Sequence, residues 1–129
     1  MNIPADLKYT RDHEWIRVDG NVATIGITDY AQQQLGDIVF VEIETIDETL
    51  DKGEVFGTIE AVKTVSDMFM PVSGEIIEVN EQLQDAPDVV NNEPYENGWM
   101  IKVKMTNQDG DIEDLLDETT YEELLSEPE

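Results

Sequence analysis

The sequence predicts an all-β fold with small helical additions, a sandwich or flattened barrel built from two similar halves. Three observations predict it. Short runs rich in Val, Ile, Thr and Phe alternate with glycine-marked turns along most of the chain. One of those runs repeats, since Gly36-Asp37-Ile38-Val39-Phe40-Val41 returns as Gly74-Glu75-Ile76-Ile77-Glu78-Val79. Each copy is followed, after a variable loop, by a glycine opening a second strand: Gly53 in GEVFGTI and Gly98 in GWMIKV. Two strand–loop–strand halves of this kind bury a shared core between two sheets.

Residues 1–11 read as a lead-in. Residues 14–18 and 22–27 read as two strands joined through Asp19-Gly20, a strong short hairpin signal. Thr28 offers a cap for a short helix from Asp29 to Leu35, with Asp29 favourable in the first turn and Gly36 as the stop. Residues 38–43 return to strand, and 44–53 form an acidic turn. Residues 54–61 and 65–72 read as the strands of a hairpin, followed by a strand at about 75–79. An irregular acidic stretch, 80–97, leads to a last strand over 98–105.

Beyond residue 107 the composition changes to ten acids and no base. Two short amphipathic patterns, 112–116 and 120–125, predict helices lying on the sheet through Leu115, Leu116, Leu124 and Leu125. Thr119 with Glu122 reads as a capping box for the second. A frayed acidic tail is the alternative, because isolated helices this short are marginal in water. The chain therefore divides into a β core of about 12–106 and an acidic helical extension of about 107–127, within one domain over 1–129.

The 129 residues carry 31 acids against seven bases, a net charge of −24. Such a surface repels phosphate backbones and anionic membrane, so neither nucleic acid nor a bilayer is an expected partner. It favours solubility and steering toward basic docking faces. An apolar fraction of 40% with tryptophan, tyrosine and phenylalanine present argues for a packed core. No apolar run approaches membrane-spanning length and no secretory h-region is present, which makes bacterial cytoplasm the expected address. Nothing in the sequence demands more than a monomer.

Chemistry is hard to assemble from these residues. Without cysteine there is neither a thiolate nucleophile nor a thiolate metal site, and one histidine, His13, cannot support a metal cluster or a convincing Ser-His-Asp set. The glycines are scattered, so no phosphate loop exists. His13 reads as a packed or interface residue, and Trp15, Trp99 and Tyr95 as core and loop anchors. The exception is Lys63, on the tight connection between two predicted strands, where a hairpin would ordinarily use Asn-Gly or Asp-Gly. Its neighbours Ala61, Val62, Thr64 and Val65 are small or β-branched. An exposed lysine amine can be acylated by a carboxylic-acid cofactor, which removes its charge and leaves a long flexible arm.

The segment Glu60-Ala61-Val62-Lys63-Thr64-Val65-Ser66-Asp67, with Pro71-Val72-Ser73-Gly74-Glu75 after it, closely resembles the lipoyl-lysine region of the glycine cleavage system H-protein family. The resemblance extends over nearly the whole chain. It takes in Leu7-Lys8-Tyr9, His13-Glu14-Trp15, Val22 to Thr28, Leu35 to Val41, Val89-Val90-Asn91, Pro94-Tyr95 and Gly98 to Lys104. Biotin carriers and the lipoyl domains of 2-oxoacid dehydrogenases share the fold, but they lack the His-Glu-Trp opening and the helical tail.

The resemblance implies a lipoyl/biotinyl-type hybrid fold and a non-catalytic shuttle with lipoic acid attached to Lys63. The arm would take an aminomethyl group from glycine at the pyridoxal-phosphate decarboxylase (P protein). It would hand this group to the folate-dependent aminomethyltransferase (T protein) and be reoxidised by dihydrolipoamide dehydrogenase (L protein). Lipoyl-transferring enzymes would read Glu60, Val62 and Thr64. In such proteins the loaded arm folds back into a cleft, and the matching positions are Glu14, Asp67 and Asp12, the last where a hydroxyl residue would be expected. A biotinyl carrier or a lipoyl relay of the same fold is the alternative.

Overall fold

The computed structural model describes residues 3–126. In chain order the strands are β1 (Lys8–Tyr9), β2 (Glu14–Asp19), β3 (Val22–Ile27), β4 (Ile38–Glu42), β5 (Thr49–Leu50), β6 (Val55–Ala61), β7 (Val65–Phe69), β8 (Gly74–Val79) and β9 (Ile101–Met105). The helices are α1 (Asp29–Leu35), α2 (Gln82–Asp85), α3 (Val89–Asn92), α4 (Gln108–Glu113) and α5 (Glu118–Ser126). All neighbouring strands are antiparallel, in a six-stranded sheet ordered β1-β2-β3-β9-β8-β5 and a three-stranded sheet ordered β4-β6-β7. The sheets remain open, so the sandwich alternative holds and the barrel does not. Their inner faces supply one core, in which Ile16, Ile25 and Ile101 from the larger sheet join Val41, Phe56 and Ile59 from the smaller.

The internal repeat is structural. Its first copy forms β4, its second β8, and each pairs with the glycine-opened strand that follows, β6 or β9. Both copies break register at the same place, between Ile38 and Phe40 in one and Ile76 and Glu78 in the other. The extra residues, Val39 and Ile77, are pushed outward and both stand exposed. The two halves thus share a bulge as well as a pattern, which chance similarity of strand composition would not produce.

Helix α1 starts and stops as its sequence predicts. The Thr28 side chain accepts from the Ala31 amide at 3.2 Å, and Gly36 closes the helix with φ 81°. Elsewhere boundaries move. The lead-in contains β1, the acidic turn contains β5, and the irregular 80–97 stretch holds α2 and α3. Strand β7 ends at Phe69 rather than residue 72, and β9 begins at Ile101 rather than residue 98. Gly98 belongs instead to a tight loop where a Cβ would come within 2.7 Å of the Glu93 carbonyl oxygen.

The acidic tail is packed. The Tyr9 and Leu116 backbones exchange two hydrogen bonds of 2.8 Å, extending the edge of β1. Leu115 rests on the main core, while Leu116, Leu124 and Leu125 rest on a second cluster of Leu7, Tyr9, Trp15, Tyr95 and Tyr121. Helix α5 begins earlier than expected. Asp117 accepts from the Thr120 amide at 2.8 Å, so a carboxylate caps the helix in place of the Thr119–Glu122 box. Residue 127, the expected end of the extension, lies outside the described residues.

Tyr121 is the tail's anchor. It is fully buried and stacks on Tyr9, with ring centroids 4.7 Å apart and planes at 6°. Its hydroxyl lies 2.8 Å from the Thr28 hydroxyl and 2.9 Å from His13 Nδ1. Tyr121→Ala therefore empties an aromatic-sized space and strands two polar partners. We expect it to lower stability by about 3–5 kcal/mol in urea unfolding, the usual range for a buried aromatic. A loss below about 1 kcal/mol would mean that the tail contributes little to the fold.

Candidate functional site

The β6–β7 hairpin turns through Val62 and Lys63. The Ala61 amide donates to the Thr64 carbonyl at 2.8 Å, and Glu60 pairs with Val65. Neither loop residue has a positive φ, so the turn is neither of the two types that dominate two-residue hairpins. An outside contact replaces the missing preference: the Val62 amide donates to the Asp37 carbonyl at 3.0 Å, pinning the tip to the start of β4. Val62, Lys63, Thr64 and Val65 are all exposed.

Of the five lysines, Lys8, Lys102 and Lys104 lie within strands, and Lys52 is tied to Asp114 at 2.9 Å. Lys63 alone combines a loop position with freedom from any ion pair among the described residues. Its stem lies over Gly36, where an added Cβ would come within 3.3 Å of Cε. Glycine at that position serves the helix stop through its left-handed φ and keeps the lysine's path clear.

Beside this tip is a cavity of about 300 Å³. Helix α1 lines it with Tyr30, Ala31, Gln34 and Leu35, the hairpin with Ile59, Ser66, Asp67 and Met68, and the β2 approach with Asp12, His13 and Glu14. Leu35 immediately precedes Gly36, so the cavity begins one residue from the surface on which the lysine stem rests. Ser66 lies three residues along the hairpin from Lys63, roughly 10 Å of strand. A long acyl arm on this lysine, reaching on the order of 14 Å from the backbone, would be able to enter.

The structure brings Asp12, Glu14 and Asp67 to one cavity but gives them different surroundings. Asp12 and Asp67 are exposed to water. Glu14 is 2% exposed. Its Oε2 accepts from the Phe69 amide at 2.8 Å and its Oε1 from the Thr10 hydroxyl at 3.1 Å, bridging the two sheets. Burial pushes its pKa up to about 8, and the charge of Asp12 adds to the rise. The Phe69 amide and Thr10 hydroxyl oppose it by favouring the charged form. Glu14 is therefore a buried carboxyl group that holds its proton at neutral pH.

His13 holds a left-handed backbone, φ 67°, with its ring packed on Tyr30 at 4.6 Å and bonded to Tyr121. Burial lowers its pKa, so it is neutral at pH 7 despite nearby Asp12. This is the packed histidine the sequence suggests. Among the described residues no cluster of His, Asp and Glu is arranged to hold a metal ion. The arrangement can receive and hold a small cationic group, with two hydrated carboxylates at its mouth and a protonated one at its floor.

Comparison with known proteins assigns the family. Residues 7–128 match the family model described as glycine cleavage H-protein. A Bacteroides thetaiotaomicron glycine cleavage system H protein is 57% identical over 126 residues, covering 98% of this chain and 99% of the relative. The chain belongs to the glycine cleavage H-protein family. A Staphylococcus epidermidis glycine cleavage system H protein is 50% identical over 127 residues, across 98% of this chain and all of the relative. The crystal structure of a glycine cleavage system H protein from Mycobacterium marinum superimposes with a TM-score of 0.88 at 38% identity. It covers 97% of this chain and 100% of its own.

In this H-protein chain the sequence reading missed Thr10, Tyr30 and Ser66 as parts of the site. Tyr30 with Gln34, and Ala31 with Leu35, are spaced four apart on α1, so helical periodicity would have put them on one face. Thr10 and Ser66 carry no comparable signal: Thr10 is placed by the turn that bonds it to Glu14, and Ser66 by its pairing with Ile59.

Proposed function

We propose that this H-protein chain carries lipoic acid on Lys63 and uses the cavity beside it to shelter the loaded arm. As the lipoyl carrier of the glycine cleavage system it links three enzymes and catalyses nothing itself. Held by an amide on Lys63, lipoic acid would supply a redox-active disulfide to the aminomethyl chemistry of the P and T proteins and to reoxidation by the L protein. Attachment forms an amide between Nζ and an activated acyl group, with loss of the leaving group and one amine proton. The exposed Glu60, Val62 and Thr64 are what a lipoyl-transferring enzyme meets first at that amine. The observation that carries the reading is an exposed lysine, free of ion pairs among the described residues, on a pinned hairpin tip with its stem over Gly36, the neighbour of Leu35 in a cavity that collects three carboxyl groups.

The chain's residues divide the work. Gly36 and the small residues of the tip leave the lysine stem room to swing. Asp12 and Asp67 attract a protonated aminomethyl group to the mouth, and Glu14 accepts it at the floor, where water is scarce. The alternation of apolar Ile27, Ile59 and Met68 with these acids keeps the cavity partly dry. We take residues 1–129 as one carrier unit working in the bacterial cytoplasm, as its bacterial relatives suggest. Among the described residues no helix is long and apolar enough to cross a membrane.

Intact mass after expression in a lipoate-competent host tests attachment, and reassembly with the P, T and L proteins tests the shuttle. In the same system the carrier Glu14→Ala,Asp67→Ala should take up the aminomethyl group but lose it to water at least tenfold faster than the parent. Equal hydrolysis rates would remove the cavity from the account while leaving Lys63 in place.

A further inference from the structure

The two halves of the fold differ at one informative position. In the second half, Glu78 follows the bulge on β8 and pairs across the strands with Lys102 of β9, whose Nζ lies 3.8 Å from the Glu78 carboxylate. That lysine also lies 5.1 Å from the centre of the Trp99 ring. The charged row is closed within the protein. In the first half the equivalent pair is Phe40 of β4 with Glu60 of β6, continued by Val65 of β7. Glu60 forms no ion pair among the described residues and stands between an exposed aromatic ring and an exposed valine.

Val62, 75% exposed at the tip, and Val39, 52% exposed at the bulge, extend this apolar surface. Of the eight large hydrophobic residues exposed among the described residues, four (Val39, Phe40, Val62 and Val65) gather here around a carboxylate that has no ion pair among them. The patch lies close to Lys63, because Glu60 and Val65 are the last ladder pair of β6 and β7, separated from the turn only by Ala61 and Thr64.

We propose that the row Phe40–Glu60–Val65, with Val62, is the docking face for the enzyme that acylates Lys63. Its occupant is a surface with an apolar rim and one arginine or lysine, the cation supplying to Glu60 what Lys102 supplies to Glu78. Reach selects this occupant over the other partners. The reacting amine stands only about 6 Å from its own Cα, so an enzyme that acylates it must close over the residues around the tip. Enzymes that work at the far end of the finished arm act on the order of 14 Å away and need not cover this row. The inference rests on the reading of Lys63 as the acylated residue, and it adds a recognition residue from β4, outside the segment around the lysine.

The test uses the full unmodified chain, a lipoate-activating ligase, lipoic acid and ATP, with initial rates followed by intact mass. Phe40→Gln and Val65→Thr should each lower kcat/KM for acylation at least about tenfold, the scale of a buried interface residue, mainly through KM. Ile77→Thr, which alters the counterpart of Val39 in the other half, should acylate at the parental rate. Once lipoylated by prolonged incubation, the Phe40→Gln and Val65→Thr carriers should be reduced by dihydrolipoamide dehydrogenase, with NADH as the electron donor, at rates within twofold of the parent. Parental acylation rates in both variants would overturn the proposal, as would equal losses in acylation and in reduction of the lipoylated form. A parent chain that gains no lipoyl mass at Lys63 would overturn the functional reading itself, and this inference with it.

Discussion

We expect Lys63→Arg to leave the fold intact and to abolish the carrier. The side chain is exposed and makes no ion pair among the described residues, so stability should stay within about 0.5 kcal/mol of the parent. Arginine preserves the positive charge and much of the length, but its guanidinium stays protonated and is not acylated by the chemistry that modifies an amine. Intact mass should show no lipoyl group on the variant after expression beside a modified parent. Glycine-dependent turnover with P, T and L proteins should fall to the level without carrier, a loss of at least about a thousandfold, since no other group can take the step. Modification at a second lysine, or residual turnover above background, would sink the assignment. Lys52 is the informative competitor because it too sits on a turn, but its ammonium is held by Asp114 at 2.9 Å.

How much of this was readable beforehand follows from the range of the interactions involved. The repeat, the α1 cap at Thr28 and the hairpin carrying Lys63 are local, set by glycines and β-branched runs within a few residues, and they fold where the sequence places them, except that β7 stops at Phe69. Short strands β1 and β5 escape such reading because two residues have no period; they exist only through their partners β2 and β8. The tail illustrates the same limit. Its leucines are legible as a stripe, whereas Tyr121, its fully buried residue, is bonded to positions more than ninety residues away. In the site, proximity of carboxylates carries no signal in a chain with 31 acids. What distinguishes Glu14 from the others is burial between the sheets under Thr10 and Phe69, a property of the sandwich and not of the local sequence.

That burial makes Glu14 a measurable liability to the fold in base. Its carboxyl prefers the protonated form in the folded state, with a pKa raised from 4.5 to about 8 chiefly by burial. Below pH 4.5 it is neutral in both folded and unfolded chains and costs nothing. As pH rises toward 8 the unfolded chain releases the proton and the folded chain keeps it, so stability falls; above about 8 the loss is complete. The difference in affinity corresponds to about 5 kcal/mol at most. Glu14→Gln retains an oxygen to accept from the Phe69 amide and removes the titration. The other carboxylates repel one another in both proteins, so the informative quantity is the difference between the two stability curves. We expect Glu14→Gln to gain several kcal/mol on the parent between pH 5 and pH 9, measured by urea unfolding. Parallel curves would mean that Glu14 is already ionised at neutral pH. A cation seated beside Glu14 favours its charged form and offsets the same cost, so an aminomethyl group held there should stabilise the loaded carrier more at pH 9 than at pH 6. The proton that destabilises the empty cavity by its departure is the one a cationic cargo replaces.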